Sequence, residues 1–116
     1  MSNTVEDKSF KFAIRIVKLY KYLTQQQKEY VLSKQLLRSG TSIGANIAEA
    51  QQAQSRADFI SKMNIALKEA AEAKYWIKLL TATKYLNQRE SVSVLSECIE
   101  IEKLLFSIVR TSKANL

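Results

Sequence analysis

The sequence predicts an all-α fold, an antiparallel four-helix bundle with up-down-up-down connectivity. Its 116 residues contain no proline and only two glycines, so the residues that form turns are scarce. Sandwiches and barrels of β-strands need many turns, and this composition argues against them. Apolar residues make up 47% and charged residues 25% of the chain, which is enough to fill one packed core. We therefore expect a single domain over residues 1–116, made of a few long helices.

Apolar periodicity and helix-start signals divide the chain into four helical segments. The predicted segments are residues 5–23, 28–53, 55–86 and 88–112. Thr4 is the expected N-cap of the first helix, where acidic residues in the first turn also suit the helix dipole. Ser55 begins a sequence that resembles a capping box, and Asn87 or Ser91 is the expected cap of the fourth helix. Short links between long helices favour antiparallel neighbours.

The second and third helices each carry one apolar seam, with residues spaced by four and three. On the third helix the seam is Phe59, Met63, Ala66, Ala70, Ala73, Ile77 and Leu80; on the second it is Leu32, Leu36, Ser39, Ile43, Asn46, Ala50 and Ala53. Gly40 and Gly44 lie one turn apart in the second helix, where glycine costs about 1 kcal/mol relative to alanine. The pair predicts close contact with a neighbouring helix, the alternative being a break at Gly40.

The first and fourth helices are apolar on more than one side. The first has Phe12, Ile16, Leu19 and Leu23 on one side and Phe10, Ile14 and Val17 on another. The fourth has one seam of Val92, Leu95, Ile99, Phe106 and Val109 and a second of Val94, Cys98, Ile101, Leu105 and Ile108. A helix in an isolated bundle needs a single apolar stripe. The second stripes predict a homo-oligomer formed through the first and fourth helices.

The composition lacks the side chains that most enzymes use. There is no histidine, the commonest general base and metal ligand, so the Glu-x-x-His pattern of di-iron bundles is also missing. The single cysteine, Cys98, cannot form an internal disulfide or a thiolate cluster. We therefore expect a protein that is not an enzyme, with no catalytic residues, cofactor or metal. The polar N-terminal residues and the short apolar runs predict a cytoplasmic location without a signal peptide or membrane span.

The formal net charge of +7 indicates an anionic partner, and all of it arises from residues before 88. Basic residues three and four apart form a stripe on the first helix, and others lie on the third. The predicted nucleic-acid-binding residues are Lys8, Lys11, Arg15, Lys18, Lys21, Lys74 and Lys78. Clustered basic residues bind phosphates by releasing counterions, the alternative being a merely solvated face. The tyrosines 20, 22, 30, 75 and 85 can stack on bases, the alternative being a place in or beside the core.

Polar side chains interrupt the second helix between residues 38 and 49, and Asn46 lies on its apolar seam. Arg38 and Glu49 are three turns apart, so each needs a partner elsewhere, and Glu69 and Glu72 of the third helix are candidates. An unpaired buried polar group costs roughly 1–3 kcal/mol, whereas a satisfied network can fix the register of a bundle. The predicted structural polar network is Arg38, Ser42, Asn46, Glu49 and Glu69.

The same stretch resembles the signature of a bacterial four-helix bundle family. The matching run is Leu36-Leu37-Arg38-Ser39-x-x-Ser42-Ile43-x-x-Asn46-Ile47-Ala48-Glu49, followed downstream by Phe59, Ile65, Ala66 and Glu69. These proteins are encoded by intervening sequences within bacterial large-subunit ribosomal RNA genes and by many free-standing genes. The accessory variability determinant of diversity-generating retroelements is similar to them. The resemblance extends from Phe10 to about Val109, with Ala50 where the family has glycine.

The resemblance implies an antiparallel four-helix bundle that assembles into a ring-like homopentamer and has no known enzymatic activity. For the retroelement relative it implies binding to nucleic acid and to a reverse transcriptase through a basic surface. We therefore expect a non-catalytic homo-oligomer that binds RNA or DNA. The alternative is a scaffold for protein–protein interaction whose basic face contacts an acidic partner. A helix-turn-helix with its turn at Gly40 is a further alternative, which the continuous seam argues against.

Overall fold

The computed structural model describes residues 4–115, which form four α-helices. The helices are α1 Val5–Gln25, α2 Leu32–Ala50, α3 Arg56–Ala82 and α4 Gln88–Ala114. Helices that follow each other along the chain pack together, and α4 returns to α1. Within the described residues α1 does not pack on α3, nor α2 on α4, so the helices stand at the corners of a square. The predicted all-α, antiparallel four-helix bundle is confirmed.

Three helices begin at the side chains that the sequence indicated as caps. Thr4, Ser55 and Asn87 each accept a hydrogen bond from the backbone N–H three residues further on, at 3.2, 3.0 and 2.8 Å. Each bond satisfies one of the N–H groups that the first turn of a helix leaves without a partner.

The start of α2 lies at Leu32 rather than at residue 28, because the residues before it have another role. Lys28 has a left-handed backbone, with φ at 56°, which separates it from the helix. The buried carboxylate of Glu29 then accepts three backbone N–H groups, which belong to Val31, Leu32 and Ser33, at 3.1, 2.9 and 2.6 Å. A glutamate before the helix therefore caps α2 in place of a residue at the usual N-cap position.

The remaining helix ends differ from the predicted bounds by a few residues. α1 continues to Gln25, and α4 continues to Ala114. α2 ends at Ala50 instead of residue 53, and α3 ends at Ala82 instead of residue 86. The early end of α3 follows from Lys84, whose left-handed φ of 70° turns the chain toward α4.

The core follows the predicted seams, except that the buried positions shift by one residue at some places along the helices. The buried residues of α3 include Met63, Ala66, Ala70, Ala73, Ile77 and Leu80, and those of α4 include Val94, Cys98, Ile101, Leu105 and Val109. Ile60 is buried where Phe59 was expected, and Ile47 is buried beside a half-buried Asn46. A straight helix has 3.6 residues per turn, so a seam written with a strict 3.5-residue period moves around it.

The α2 helix is unbroken at Gly40, which excludes both the break and the helix-turn-helix considered above. A Cβ atom on Gly40 would lie 2.9 Å from both Cγ atoms of Ile16, a fully buried side chain of α1. A Cβ atom on Gly44 would lie 3.4 Å from Oγ of Ser9, an ordinary contact. The close approach of α1 to α2 therefore depends on Gly40 far more than on Gly44.

We expect Gly40→Ala to lower the free energy of unfolding by about 1 kcal/mol. Overpacking costs about 1–3 kcal/mol, which outweighs the gain of about 1 kcal/mol in helix propensity, and the β-branched Ile16 has little freedom to move aside. Gly44→Ala is the matched control and should be neutral or stabilising by up to about 1 kcal/mol. Urea unfolding followed by circular dichroism measures both changes. Equal effects at the two positions would contradict this account of Gly40.

We expect Glu29→Gln to cost about 1–2 kcal/mol of stability at neutral pH, because it weakens the cap of α2. Burial acts to raise the pKa of Glu29, but the N–H groups of Leu32, Ser33 and Val31 outweigh it and hold the pKa below the usual 4.5. A lowered folded-state pKa means that the charged cap stabilises the fold above the unfolded-state pKa, and that this contribution is lost as the pH falls through the folded-state value. The difference from the native protein in urea unfolding should therefore shrink in acid, and a constant difference would contradict the prediction.

Candidate nucleic-acid interface

Ion pairs join α1 to α4 along the edge that the two helices share. Lys8 Nζ lies 3.1 Å from Glu100 Oε2. Arg15 contacts two carboxylates of α4, Glu90 at 3.1 Å and Glu97. Two of the predicted nucleic-acid-binding residues, Lys8 and Arg15, are thus engaged within the bundle, with about a quarter of each side chain exposed.

The predicted polar network lies along the α2–α3 edge, at the surface and not in the core. Arg38 is half exposed and contacts Glu69 at 3.3 Å and also Glu72, the two partners considered from the sequence. Trp76 Nε1 donates to Glu72 at 3.0 Å, and this bond, together with Arg38, lowers the pKa of the Glu72 carboxyl. The second carboxylate oxygen of Glu69, Oε1, is buried and has no hydrogen-bond partner among residues 4–115.

The other members of this network make separate contacts. Glu49 is exposed and pairs with Lys62 of α3 at 3.0 Å. Ser42 and Asn46 are half-buried and donate hydrogen bonds back within α2, to the carbonyl oxygens of Arg38 and Ser42, at 2.6 and 2.9 Å. The structure therefore links Arg38 and Glu49 to α3 by ion pairs, while the bonds of Ser42 and Asn46 among residues 4–115 stay within α2.

All eleven acidic residues of the chain have a role inside the fold. Seven glutamates form ion pairs between helices, and Glu6, Asp7, Glu29 and Asp58 lie at the starts of α1, α2 and α3. The ion pairs occupy five cations, namely Lys8, Arg15, Arg38, Lys62 and Lys74. The other thirteen basic residues, out of eighteen, are exposed and form no ion pair within the described chain. They are Lys11, Lys18, Lys21, Lys28, Lys34, Arg56, Lys68, Lys78, Lys84, Arg89, Lys103, Arg110 and Lys113.

The structure separates the predicted basic residues into groups. Lys74 pairs with Glu102 of α4 at 2.7 Å and so resembles Lys8 and Arg15. Lys11, Lys18 and Lys21 are exposed on α1, and Lys78 is exposed on α3. Because α1 and α3 are diagonal in the bundle, these residues do not form one continuous patch on a single chain.

The exposed cations of α4 were missed by sequence reasoning. Residues 88–116 contain four basic and four acidic residues, so their summed charge is zero. In the bundle the four glutamates all pair with α1 or α3, whereas Lys103 and Arg110 remain exposed one heptad apart. Helical periodicity was the available signal, because it places Lys103 and Arg110 one heptad apart on one face of α4, with Glu100 and Glu102 at the borders of that face.

Two apolar grooves lie on opposite edges of the square. The α1–α2 groove has a volume of about 600 Å³, with Phe10 on its rim and mostly small residues, among them Ala13, Gly44, Ala45 and Ala48, along it. The α3–α4 groove has a volume of about 570 Å³ and is lined by Leu67, Ala71 and Phe106, with the cations Lys68, Lys103 and Arg110 and the carboxylate of Glu102 around them. Phe10 is 68% exposed and Phe106 is 56% exposed. Phe10, Ile14 and Val17 of α1 and Val92 and Phe106 of α4 are therefore exposed on the single chain, whereas the seam of α4 from Val94 to Leu105 is buried in the core.

The described residues offer little for metal or thiol chemistry. They contain no group of three or more histidine, cysteine, aspartate or glutamate side chains that could hold a metal ion. Cys98 is buried, its Sγ donates to the carbonyl oxygen of Ala70 at 3.3 Å, and burial raises the pKa of its thiol to about 12. A thiolate nucleophile is therefore not available there. Among the described helices, none combines the length and the apolar character that a membrane crossing requires.

Comparison with known proteins extends the resemblance seen in the sequence. A family model described as 23S rRNA-intervening sequence protein matches residues 1–107. A crystal structure of a protein of unknown function from the S23 ribosomal protein family of Bacteroides thetaiotaomicron VPI-5482 superposes with a TM-score of 0.90. The two sequences are 61% identical over 91% of this chain and 98% of that one. The comparison with curated proteins finds no match. The chain belongs to the 23S rRNA-intervening sequence protein family.

Proposed function

We propose that the protein is a non-catalytic homo-oligomer that binds RNA or DNA through its unpaired basic surface. The observation that carries the proposal is the asymmetry of the charges: every acidic residue serves a helix start or an ion pair, while thirteen exposed cations in the described chain have no acidic partner. A net positive surface attracts polyanions, and phosphates bound to Lys and Arg release counterions. The nucleic-acid binding implied by the resemblance to the retroelement relative supports the same partner.

The α1 helix is the favoured place for this contact. Lys11 and Lys18 are two turns apart on its outer face, about 10 Å along the helix axis, and Lys21 lies near them. No acidic residue follows Asp7 on α1, so no negative charge of the same helix interrupts the stripe. The paired Lys8 and Arg15 border the stripe on the α4 side.

Self-association is the second part of the proposal, and the two apolar grooves support it. Because they lie on opposite edges, the α3–α4 groove of one copy can face the α1–α2 groove of the next. Such a contact is heterologous, and its repetition through a closing rotation gives a ring, as in the homopentamer that the resemblance implies. The charges are partly complementary, since Lys68, Lys103 and Arg110 line one groove beside Glu102, which is paired with Lys74, and Glu6 lines the other.

The second candidate function is a scaffold for an acidic protein. The α3–α4 groove favours it, because apolar residues there are surrounded by three unpaired cations. A pull-down from lysate with and without nuclease separates the two functions. A reverse transcriptase or another protein that stays bound after nuclease treatment would favour the scaffold over direct nucleic-acid binding.

We expect the protein to bind a labelled structured RNA in fluorescence anisotropy, with an affinity that falls at least about tenfold between roughly 50 and 200 mM salt. The double substitution Lys11→Gln/Lys18→Gln should reduce the log–log salt slope by about 0.9 for each lost phosphate contact. Lys34→Gln/Lys113→Gln removes the same charge from α2 and α4 and should reduce the slope less, because the contact is centred on α1. No binding at low salt, or binding that salt does not weaken, contradicts the proposal.

We expect light scattering at micromolar concentration to give a multiple of the 13.2 kDa chain mass, five being the multiple that the resemblance implies. Phe10→Ser and Phe106→Ser should each disrupt the assembly, because every heterologous contact uses both grooves. Val92→Ser is the control, since Val92 is 56% exposed on α4 and lines neither groove.

The mixture of the two groove variants makes this test specific. Phe10→Ser keeps the α3–α4 groove intact and Phe106→Ser keeps the α1–α2 groove intact, so an equal mixture should form dimers with one native contact and nothing larger. A monomeric native protein contradicts self-association. An assembly that survives Phe106→Ser contradicts the heterologous contact.

A further inference from the structure

The α1–α4 edge carries a cleft that is separate from the two apolar grooves and from the α2–α3 ion pairs. Of the four edges of the bundle this one has the least extensive packing, and a cleft of about 470 Å³ lies there beside the second half of α1. Its volume falls within the range of about 300–1,000 Å³ that is usual for ligand sites. The buried Leu19 and Leu86 give the cleft an apolar floor, Tyr22 stands at its side, and the polar residues lie around them.

The geometry points to this cleft as a site for one unpaired nucleotide of single-stranded RNA or DNA, with its base against Tyr22 and its phosphate at Lys18. This inference rests on the proposed function and specifies where and in what form nucleic acid is bound. It commits to a single strand, because the faces of bases in a duplex are covered by their neighbours in the stack.

Tyr22 has the features of a stacking platform. Its hydroxyl accepts a hydrogen bond from Gln27 Nε2 at 2.6 Å, which anchors the end of the side chain. The residue is nonetheless 38% exposed, although it adjoins the apolar floor of the cleft. Stacking on an exposed aromatic ring is the interaction by which proteins bind single strands with little sequence preference.

The cations lie where a phosphate chain attached to that base would pass. Arg15, Lys18 and Tyr22 are three and four residues apart, so they share one face of α1, and Lys11 extends the face by one turn. Lys18 is exposed and unpaired within the described chain, so its charge is available to a phosphate. Lys11, about 10 Å away along the axis, is placed for the phosphate of a neighbouring nucleotide.

The one acidic residue of the cleft is held by a cation. Glu90 lies 3.1 Å from Arg15, whose single positive charge is shared with Glu97 and offsets part of the negative charge at the rim. Arg15 is also held by Glu97, and its guanidinium is therefore fixed in position before any ligand arrives. Carboxylate oxygens left free of Arg15 can accept hydrogen bonds from the exocyclic amino group of a base.

The test measures fluorescence anisotropy with a fluorescein-labelled 12-nucleotide single strand, as RNA and as DNA, and with the corresponding duplex. Tyr22→Ala should weaken single-strand binding about tenfold, the usual scale for one stacked base, and weaken duplex binding much less. Tyr22→Phe, which keeps the ring and loses the hydroxyl, should bind within about twofold of the native protein. Tyr75→Ala, a control at an exposed tyrosine of α3, should do the same.

A charge substitution gives an independent readout of the phosphate contact. Lys18→Gln should reduce the log–log salt slope for the single strand by about 0.7, and Lys34→Gln, at a lysine that does not line the cleft, should reduce it less. Circular dichroism and thermal unfolding show whether each variant is folded. If Tyr22→Ala does not fold, Tyr22→Leu keeps an apolar side chain without the aromatic ring and provides the same comparison.

The outcomes separate this inference from the function on which it rests. Native protein that binds neither the single strand nor the duplex contradicts the proposed function itself. Native protein that binds, together with a Tyr22→Ala variant that binds equally well or loses single strand and duplex alike, overturns only the cleft assignment. Equal slopes for Lys18→Gln and Lys34→Gln overturn the phosphate contact.

Discussion

Each helix of the bundle buries one narrow stripe, and small residues in those stripes determine how close the helices come. The α3 stripe contains three fully buried alanines, Ala66, Ala70 and Ala73. On α2, Ile16 packs so close to Gly40 that a Cβ atom at this position would not fit. A square bundle packed this closely has no interior space for large apolar side chains outside the stripes. Such side chains remain at the surface, and two of them, Phe10 and Phe106, line grooves on the opposite α1–α2 and α3–α4 edges. The same constraint that makes the core compact thus leaves two apolar grooves uncovered.

The ion pairs along the helix edges contribute little to stability. Their main consequence is that they determine which charged side chains remain unpaired at the surface. Their side chains are partly exposed, for example 50% for Arg38 and 56% for Glu100, and exposed pairs contribute only about 0–1 kcal/mol each. Burial of the apolar stripes is therefore the main stabilising term. Seven of the eleven acidic residues nevertheless form these pairs, and the other four lie at helix starts. The cations that face solvent without an acidic partner are consequently more numerous than the net charge of +7 alone would suggest.

Local signals in the sequence were enough for the fold but not for the candidate site. Seam spacing and the caps Thr4, Ser55 and Asn87 depend on neighbours within one helix, and they predicted four helices. The start of α2 could not be predicted in this way, because its cap is the side chain of Glu29. That residue lies before the helix and follows Lys28, which has a left-handed backbone. Which cations remain free depends on the rotation of one helix against another. That rotation is a property of the tertiary structure and cannot be obtained from one helix alone. The charge summed over residues 88–116 is zero, so the sum did not reveal the unpaired cations of α4.

The proposed ring and the proposed nucleotide cleft reinforce each other energetically. One stacked base and one phosphate contact give a weak site, since stacking contributes about 1–3 kcal/mol per base. The cleft lies on the α1–α4 edge, whereas the proposed contacts between copies use the two adjacent edges, so assembly leaves the cleft open. In a closed ring it recurs once per copy, and a strand that spans two copies binds the second site at a high effective concentration. Avidity of this kind converts a weak, sequence-tolerant site into a strong one, and it explains why apolar grooves and unpaired lysines belong together on a domain this small.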